Sequence, residues 1–245
     1  LLSDAYSNVS GVGFAGVDIA NIGDVNGDGL AEVAIGGSFV YTADAAWVGV
    51  WDGAALGQGG SYSYSTALFT VDSTADGTTI GGDTIGGADL DGDGLADMIV
   101  ASAVNSFGRL SLASGADIAQ GGSIAHSDLP SITGNAGEQF GRHSAMANDI
   151  DGDGYAEIVT SAGHASAFPA DGNEYDLGGV VYVIDGHDFV DGEDVEDIAY
   201  INIQGTQISS SLQVIDDLGD HDGDGLTDVV VSAVNEDYVT NQVSC

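Results

Sequence analysis

Residues 89–100 read DLDGDGLADMIV and combine a metal-binding pattern with a short apolar segment. The carboxylates of Asp89, Asp91, Asp93 and Asp97 occupy positions 1, 3, 5 and 9 of a loop. Alternate carboxylates reach one ion only if the backbone curls tightly, and glycine at positions 4 and 6 permits the angles required. Oxygen ligands on a flexible loop favour Ca²⁺, because Mg²⁺ demands a tight octahedron and Zn²⁺ prefers nitrogen or sulfur. The stretch therefore predicts a calcium loop followed directly by a strand.

The same loop occurs three more times, as DVNGDGLAE from Asp24, DIDGDGYAE from Asp149 and DHDGDGLTD from Asp220. The first aspartates of the four loops are spaced about 60 to 70 residues apart, which indicates an internal repeat. We predict about four Ca²⁺ sites, each completed by the backbone carbonyl of position 7 and by water. The predicted ligands are Asp24, Asn26, Asp28, Leu30 and Glu32; Asp89, Asp91, Asp93, Leu95 and Asp97; Asp149, Asp151, Asp153, Tyr155 and Glu157; and Asp220, Asp222, Asp224, Leu226 and Asp228.

An EF-hand loop is the alternative, because it also begins with alternating Asp or Asn and places glycine at position 6. It requires a bidentate acid at position 12 between two helices, whereas position 12 here is Ile35, Val100, Thr160 or Val231. The segments that follow the loops are EVAIGG, DMIVASA, EIVTSAG and DVVVSAV. They are β-branched and apolar, which favours a short buried strand over a helix.

The composition indicates one all-β repeat array. The chain has 245 residues with 39 glycines and 2 prolines, and no window has a convincing helical period. Its 39 acidic residues are balanced by only two basic residues, Arg109 and Arg142, so the net charge is −37. Four Ca²⁺ ions would neutralise little of this charge. An acidic surface of this kind is typical of halophilic proteins and of others that work at high ionic strength. It argues against nucleic acid and anionic membranes as partners.

Compartment and membrane topology are read from other features. The single cysteine is Cys245, so no disulfide forms within the chain. No run of 18 apolar residues exists, so we expect no membrane insertion. The start at Leu1 lacks the basic region of a signal peptide, and we expect any export signal to be removed or to lie outside this sequence. Weak calcium sites fill at roughly 10⁻⁴ to 10⁻³ M, which indicates an extracellular or cell-surface protein.

A full repeat contains four strand signals, and the fourth repeat has about two or three of them. One precedes the loop and one follows it. A third ends in a turn with glycine, as in AWVGVWDG (46–53), GRLSLASG (108–115) and GGVVYVIDG (178–186), and a fourth follows in ALFTVD (67–72) and AYINIQG (199–205). Four strands per unit of roughly 60 residues predict the blades of a β-propeller. We place the blades at 11–75, 76–135, 136–205 and 206–245; if the array closes into a small ring, residues 1–10 supply the outer strand of the last blade.

These features resemble FG-GAP repeats, the calcium-binding blades of the integrin α-subunit N-terminal β-propeller and of many bacterial extracellular proteins. The resemblance covers essentially the whole chain and rests on Phe140-Gly141, on the four acidic loops and on IGG at 35–37. No repeat has Gly-Ala-Pro, and the fourth carries extra residues in LQVIDDLGD (212–220). Family propellers usually have seven blades, so the resemblance implies part of a larger propeller completed by further chain or by a partner. Closure into a small ring is the alternative.

The leading hypothesis is an extracellular, calcium-stabilised propeller that acts as an adhesion, structural or protein-interaction module. Its partners would be a protein or glycan at the cell surface or matrix, further blades, or copies of itself. One alternative is an accessory or catalytic propeller of a secreted polysaccharide lyase or phospholipase-like enzyme. This is less favoured, because we identify no catalytic or cofactor-binding residue and the five histidines are scattered. The other is a lectin that stacks sugar on Trp47 and Trp51, although inter-blade core is their commoner role.

Overall fold

The computed structural model describes residues 7–10, 14–38, 46–73, 80, 82–102, 107–167, 172, 174, 176–206 and 212–233. Cys245 and the first six residues of the predicted closing strand lie outside these ranges. The strands are β1 (Ser7–Ser10), β2 (Phe14–Asn21), β3 (Val33–Ser38), β4 (Trp47–Trp51), β5 (Gly60–Ser63), β6 (Phe69–Asp72), β7 (Thr84–Gly86), β8 (Met98–Ser102), β9 (Phe107–Ala113), β10 (Gly122–Ala125), β11 (Ser131–Ala136), β12 (Phe140–Ala147), β13 (Glu157–Ala162), β14 (Val180–Asp185), β15 (Ile201–Gln204), β16 (Leu212–Gly219) and β17 (Asp228–Ala233).

The strands form consecutive antiparallel sheets, which we number as blades in chain order. Blade 1 holds β2, β3, β4 and β6; blade 2 holds β7, β8, β9 and β11; blade 3 holds β12, β13, β14 and β15; and blade 4 holds β16 and β17. Every acidic loop joins the first strand of a blade to the second, and a strand rather than a helix follows each loop. The predicted all-β propeller architecture is confirmed.

Three short helices were not expected from the sequence: α1 (Gly53–Leu56), α2 (Gly115–Gln120) and α3 (Val195–Ile198). Each begins after a side chain that accepts a backbone N–H at the helix start, namely Asp52, Ser114 and Asp194. Such side chains compensate the unpaired donors of a first helical turn. A helix of four to six residues is too short to produce a hydrophobic period, which is why the sequence pattern missed them.

Neighbouring blades are linked by a repeated parallel pairing. The segment after α2 in blade 2 forms β10, which pairs with β6, the outer strand of blade 1. In blade 3, Asp194 forms a parallel bridge with Thr133 in the outer strand of blade 2. In blade 1, the equivalent segment β5 pairs in parallel with β1. The strand β1 therefore lies where the outer strand of a blade preceding blade 1 would lie.

The hydrophobic cores lie between sheets. One core joins blades 1 and 2 around Ile80, Met98 and Val100, another joins blades 2 and 3 around Ile99 and Leu110, and a smaller one joins blades 3 and 4. This arrangement follows from strands whose successive side chains point to opposite faces, so that an apolar run makes both faces of a sheet hydrophobic. A blade is thus buried only by its neighbours.

Blade 1 has a second apolar face, turned away from blade 2. Trp47 and Trp51 are each only 2% exposed there, and Trp47 packs against Tyr64 with ring centroids 4.9 Å apart. A Cβ at Gly49 would lie 2.6 Å from the Trp51 ring, so the glycine makes room for the indole. The hypothesis of an exposed tryptophan platform for sugar is wrong, because both rings are buried by side chains of their own blade. Nearby on β2, Ile19 is 66% exposed.

Blade 4 accommodates its extra residues as irregularities in register. The pairing of β16 with β17 shifts between Val214 and Asp216 and again between Asp217 and Gly219. Two bulges lengthen the first strand without changing the position of its acidic loop. The predicted blade limits and the role of residues 1–10 as a closing strand stay predictions.

We expect Leu110→Ala to lower the free energy of unfolding by about 2 to 5 kcal/mol, because it opens a cavity in the core between blades 2 and 3. Leu110 is fully buried, at 0% exposure. The control Val190→Ala, at a position that is 51% exposed, should change stability by less than about 0.5 kcal/mol. Urea unfolding with excess calcium measures both, and equal losses would contradict the assignment of Leu110 to an inter-blade core.

Candidate metal-binding loops

The backbone of each acidic loop is folded around its first aspartate. In blade 2, Asp89 accepts the N–H of Gly92 through Oδ1 at 2.7 Å and that of Gly94 through Oδ2 at 2.8 Å. Both glycines have positive φ, 78° and 88°, which side chains resist. The same pair of bonds recurs at Asp24, Asp149 and Asp220. The glycines at positions 4 and 6 thus have the role that the sequence predicts.

The acid at position 9 connects the loop to the body of the blade. Asp97 is fully buried and accepts the N–H of Leu90 at 2.7 Å and that of Gly115 at 2.8 Å. Glu32 and Glu157 are also 0% exposed. Asp228 in blade 4 keeps the bond to the loop, accepting the N–H of His221 at 2.8 Å, but it is only half-buried. A carboxylate at this position therefore holds the loop against the start of the second strand.

The structure brings most of the predicted carboxylates together. In each of the following groups, one ligand atom per residue lies within 4.8 Å of the others: Asp149, Asp151, Asp153 and Glu157; Asp89, Asp91 and Asp97; Asp220, Asp222 and Asp228; and Asp28, Glu32 and Asp52. Asp24, Asp93 and Asp224 fall outside these groups. The assignment of all the predicted residues as metal ligands, including the grouped carboxylates, Asn26 and the position-7 carbonyls, stays a prediction.

Burial of these acids without a nearby cation carries an electrostatic cost. Burial raises the pKa of Glu157 to about 7 and that of Asp97 to about 6, and neighbouring loop carboxylates add to both shifts. The Oε1 atom of Glu157 is buried and has no hydrogen-bond partner among the described residues. An unpaired buried carboxylate oxygen beside three further carboxylates fits a bound divalent cation, whose hard charge would compensate all of them.

Two acids near the loops were missed by the sequence analysis. Asp52 joins the group of Asp28 and Glu32, and Asp185 lies close enough to Asp153 for their charges to interact. Asp52 directly follows the third strand of blade 1 and Asp185 is the last residue of the third strand of blade 3, in WVGVWD and VVYVID. Ser114 takes this position in blade 2. The recurrence of aspartate at the end of that strand was the available signal, but only the fold places it beside the loop.

Consecutive loops touch one another along one edge of the array. The position-4 glycine of each loop faces the position-7 side chain of the next, so that a Cβ at Gly27, Gly92 or Gly152 would lie 3.8, 3.0 or 3.6 Å from Leu95, Tyr155 or Leu226. Backbone bonds add to this, since the N–H of Thr227 donates to the carbonyl of Asp149 at 3.1 Å. Ordering one loop therefore supports the next.

A serine and a histidine meet elsewhere, in the core of blade 2. Ser111 Oγ lies 3.0 Å from His126 Nε2, and both residues are 0% exposed. A nucleophile must reach its substrate, and this pair is enclosed by the sheet and by the segment after β10. The contact is a buried hydrogen bond that compensates two polar groups within the core.

Comparisons with known proteins agree with this architecture. The FG-GAP repeat family matches residues 140–184, which run from β12 to β14 in blade 3 and include its acidic loop. Integrin alpha-4 of Xenopus laevis is 27% identical over 191 residues, covering 72% of this chain but only 17% of that subunit. No helix within the described residues is long and apolar enough to cross a membrane.

Fold and loops together define a β-propeller repeat protein with acidic loops between its first and second strands. Residues 140–184 match the FG-GAP repeat family and the chain is similar to an integrin α subunit, as its sequence motifs predict.

We expect the metal-stripped protein to lose stability as the pH rises from about 5 to 8. The pKa of Glu157 is raised in the folded state, so folding stabilises its protonated form, and that contribution disappears as the pH passes its folded value of about 7. Glu157→Gln should remove about 1 to 2 kcal/mol of this loss. Calcium should stabilise the wild type more at pH 8 than at pH 5, because protons compete for the same oxygens.

Thermal unfolding across this pH range, with and without calcium, measures both effects. The matched control is Glu174→Gln, which removes one charge at an exposed position outside the loops. A calcium increment that is independent of pH, or an equal effect of the two variants, would contradict the electrostatic account of the loop.

Proposed function

We propose that this chain is an extracellular β-propeller module, stabilised by about four Ca²⁺ ions, that acts in adhesion or protein interaction. The single observation that carries the proposal is the recurrence of one loop geometry in four blades, with a position-9 acid that is buried in the first three blades and half-buried in the fourth. A metal site that performs chemistry is needed once, whereas a structural site is useful in every repeat.

Calcium is the ion that this donor set favours. The predicted first coordination shell contains carboxylate, amide and backbone carbonyl oxygens, with glycines that let the loop adapt its geometry. Each ion would relieve the repulsion among three or four carboxylates. It would also fix the turn between the two inner strands of a blade. The free energy of calcium binding at the loops then adds to the stability of the folded array.

Three observations support a location outside the cell. Loops of this type with weak affinity fill where calcium reaches roughly 10⁻⁴ to 10⁻³ M. The net charge of −37 keeps the surface solvated at an ionic strength that screens its self-repulsion. The similarity to an integrin α subunit favours the same location and favours a protein ligand.

A sugar-stacking role loses its candidate residues, because Trp47 and Trp51 are each 2% exposed.

The proposal includes a further blade, or a copy of this chain, as one partner. The face of blade 1 that carries Ile19 and Val17 has no described blade against it, and these residues are 66% and 49% exposed. The parallel pairing of β1 with β5 repeats the contact that links blade 1 to blade 2. A sheet with the same alternation of apolar residues would bury the exposed side chains of β2.

Removing calcium should lower the melting temperature by at least about 10 °C, because several sites would each lose a few kcal/mol of linked stabilisation. Half of the effect should occur near 10⁻⁴ to 10⁻³ M free calcium, and Mg²⁺ at equal ionic strength should not replace it. Differential scanning fluorimetry over a calcium titration gives both quantities. An unchanged melting temperature would refute the metal sites, and saturation below about 10⁻⁶ M would refute the extracellular assignment.

Ile19→Glu should prevent association at the open face of blade 1, because it places a charge in an interface that must exclude water. Light scattering in calcium should report a wild-type particle larger than one chain that becomes a monomer in this variant. Val190→Glu adds the same charge at another exposed position and should leave the particle unchanged. A wild-type protein that is monomeric, with a stability that Ile19→Glu does not affect, would contradict copies of the chain as the partner.

A further inference from the structure

A cavity of about 320 Å³ opens on blade 3, outside the acidic loops. Its walls come from β14, β15, α3 and the turn before β12, and they include Glu138, Glu196, Tyr182 and Asn202. Val180 and Ala199 provide an apolar part of the wall. A pocket of this size accommodates a side chain or a small organic molecule rather than a bare ion.

The charges lining this cavity are negative. Asn135 donates from Nδ2 to Oε1 of Glu196 at 3.0 Å and also hydrogen-bonds Glu138, so one amide lies between two carboxylates. Burial raises the pKa of Glu138, and the neighbouring Glu196 charge raises it further. The nearby Arg142 donates to Gln139 Oε1 at 2.6 Å, and no ion pair within the described residues joins it to either glutamate. The two carboxylates therefore share a site without a counter-charge.

Tyr182 gives an independent sign of a missing ligand. The residue is 5% exposed, and its ring packs edge-on against Phe140 with centroids 6.3 Å apart. Its hydroxyl has no hydrogen-bond partner among the described residues, although Tyr182 lines the cavity. Burial raises the pKa of this hydroxyl, and the charges of Glu196 and Glu138 act in the same direction. Because Tyr182 lines the cavity, a donor that enters it would give this hydroxyl a hydrogen-bond partner.

We propose that this cavity binds a primary ammonium group, the side-chain terminus of a lysine on a partner protein. An ammonium carries three N–H donors, and Glu138, Glu196 and the Tyr182 hydroxyl offer three acceptors from three different elements. The planar fork of a guanidinium instead suits carboxylates that face it side by side. The methylene stem of lysine would pack along Val180 and Ala199. The inference rests on the proposed interaction function and names the chemistry of one contact.

A metal ion fits this site less well than an organic cation. The groups at the acidic loops each hold three or four acids within 4.8 Å, one of them Asp52 from outside its loop, whereas this cavity is lined by two carboxylates from separate elements. The cavity also has about 320 Å³ to fill, which a single ion and its few ligands would leave largely to water. The charge of the pocket and its apolar wall match a ligand with a cationic end and a hydrocarbon stem.

The test is a titration of the calcium-loaded full chain with N-acetyl-lysine amide at low ionic strength, followed by calorimetry and by NMR of the tyrosine rings. N-acetyl-norleucine amide, which has a similar stem and no charge, should bind at least about tenfold more weakly. Glu196→Gln should weaken the lysine probe about tenfold and Tyr182→Phe about threefold. The control Glu193→Gln removes an exposed charge near the cavity and should change binding less than about twofold.

Several outcomes would overturn the proposal. Equal binding of the norleucine probe would show that the ammonium group contributes nothing to binding. An equal effect of Glu193→Gln and Glu196→Gln would reduce the site to general surface charge. Tighter binding of N-acetyl-arginine amide would assign a guanidinium, and displacement by added Ca²⁺ would assign a metal. Equal affinity for butylamine and for a lysine-containing peptide would assign a free amine rather than a partner protein.

The folding of each variant is checked by its melting temperature in calcium. A failed titration with a normal calcium-dependent melt would refute the lysine pocket and leave the calcium-stabilised module intact. Loss of the calcium effect together with retained probe binding would refute the calcium-stabilised module and leave the lysine pocket intact.

Discussion

The architecture depends on one constraint: a four-stranded sheet that is apolar on both faces is buried only by other sheets. Successive residues of β8 alternate between two cores, since Met98 and Val100 face blade 1 while Ile99 and Ala101 face blade 3. Each blade needs a neighbour on either side, so the sequence must repeat its apolar strands at a steady interval. The exposed face of blade 1 is the consequence at one end of the described array. There Trp47 and Trp51 are buried by side chains of their own blade, and Ile19 on the inner strand stays exposed.

Charge is the second organising property, because the chain has 39 acidic residues and two arginines with which to balance them. Carboxylates that become buried during folding therefore have backbone N–H groups as their main partners, as Asp97 has from Leu90 and Gly115. These bonds offset only part of the effect of burial, which still raises the pKa of Asp97 to about 6. Burial, with the nearby Asp18 charge, raises the pKa of Asp83 to about 7 between the inner strands. The loops and the cavity of blade 3 are two solutions to the same shortage: both place acids where a cation from outside the chain would stabilise them.

The loops also give the array a second line of contact. Inter-blade cores join the sheets through apolar side chains, while the loops join along one edge through the packing of a position-7 side chain on a position-4 glycine. A metal ion that orders one loop would therefore restrict the loop beside it, and the effect of calcium would extend beyond the blade that binds it. The glycine has two roles in this arrangement. It allows a positive φ in its own loop, and it leaves space for the leucine or tyrosine of the next.

Sequence and fold each account for a different part of this protein. The repeated acidic loop, its two glycines and the β-branched segment after it determine strand, turn and repeat unit locally, so the propeller and the candidate ligands could be predicted from residues such as Asp89 and Gly92. The short helices could not, because four to six residues carry no period and depend on caps such as Asp52. Only the tertiary structure places Asp52 beside Glu32, buries Trp47, and joins Glu138, Tyr182 and Glu196 around one cavity. These residues are far apart in sequence or on different elements, and their proximity comes from sheet packing, which local pattern does not encode.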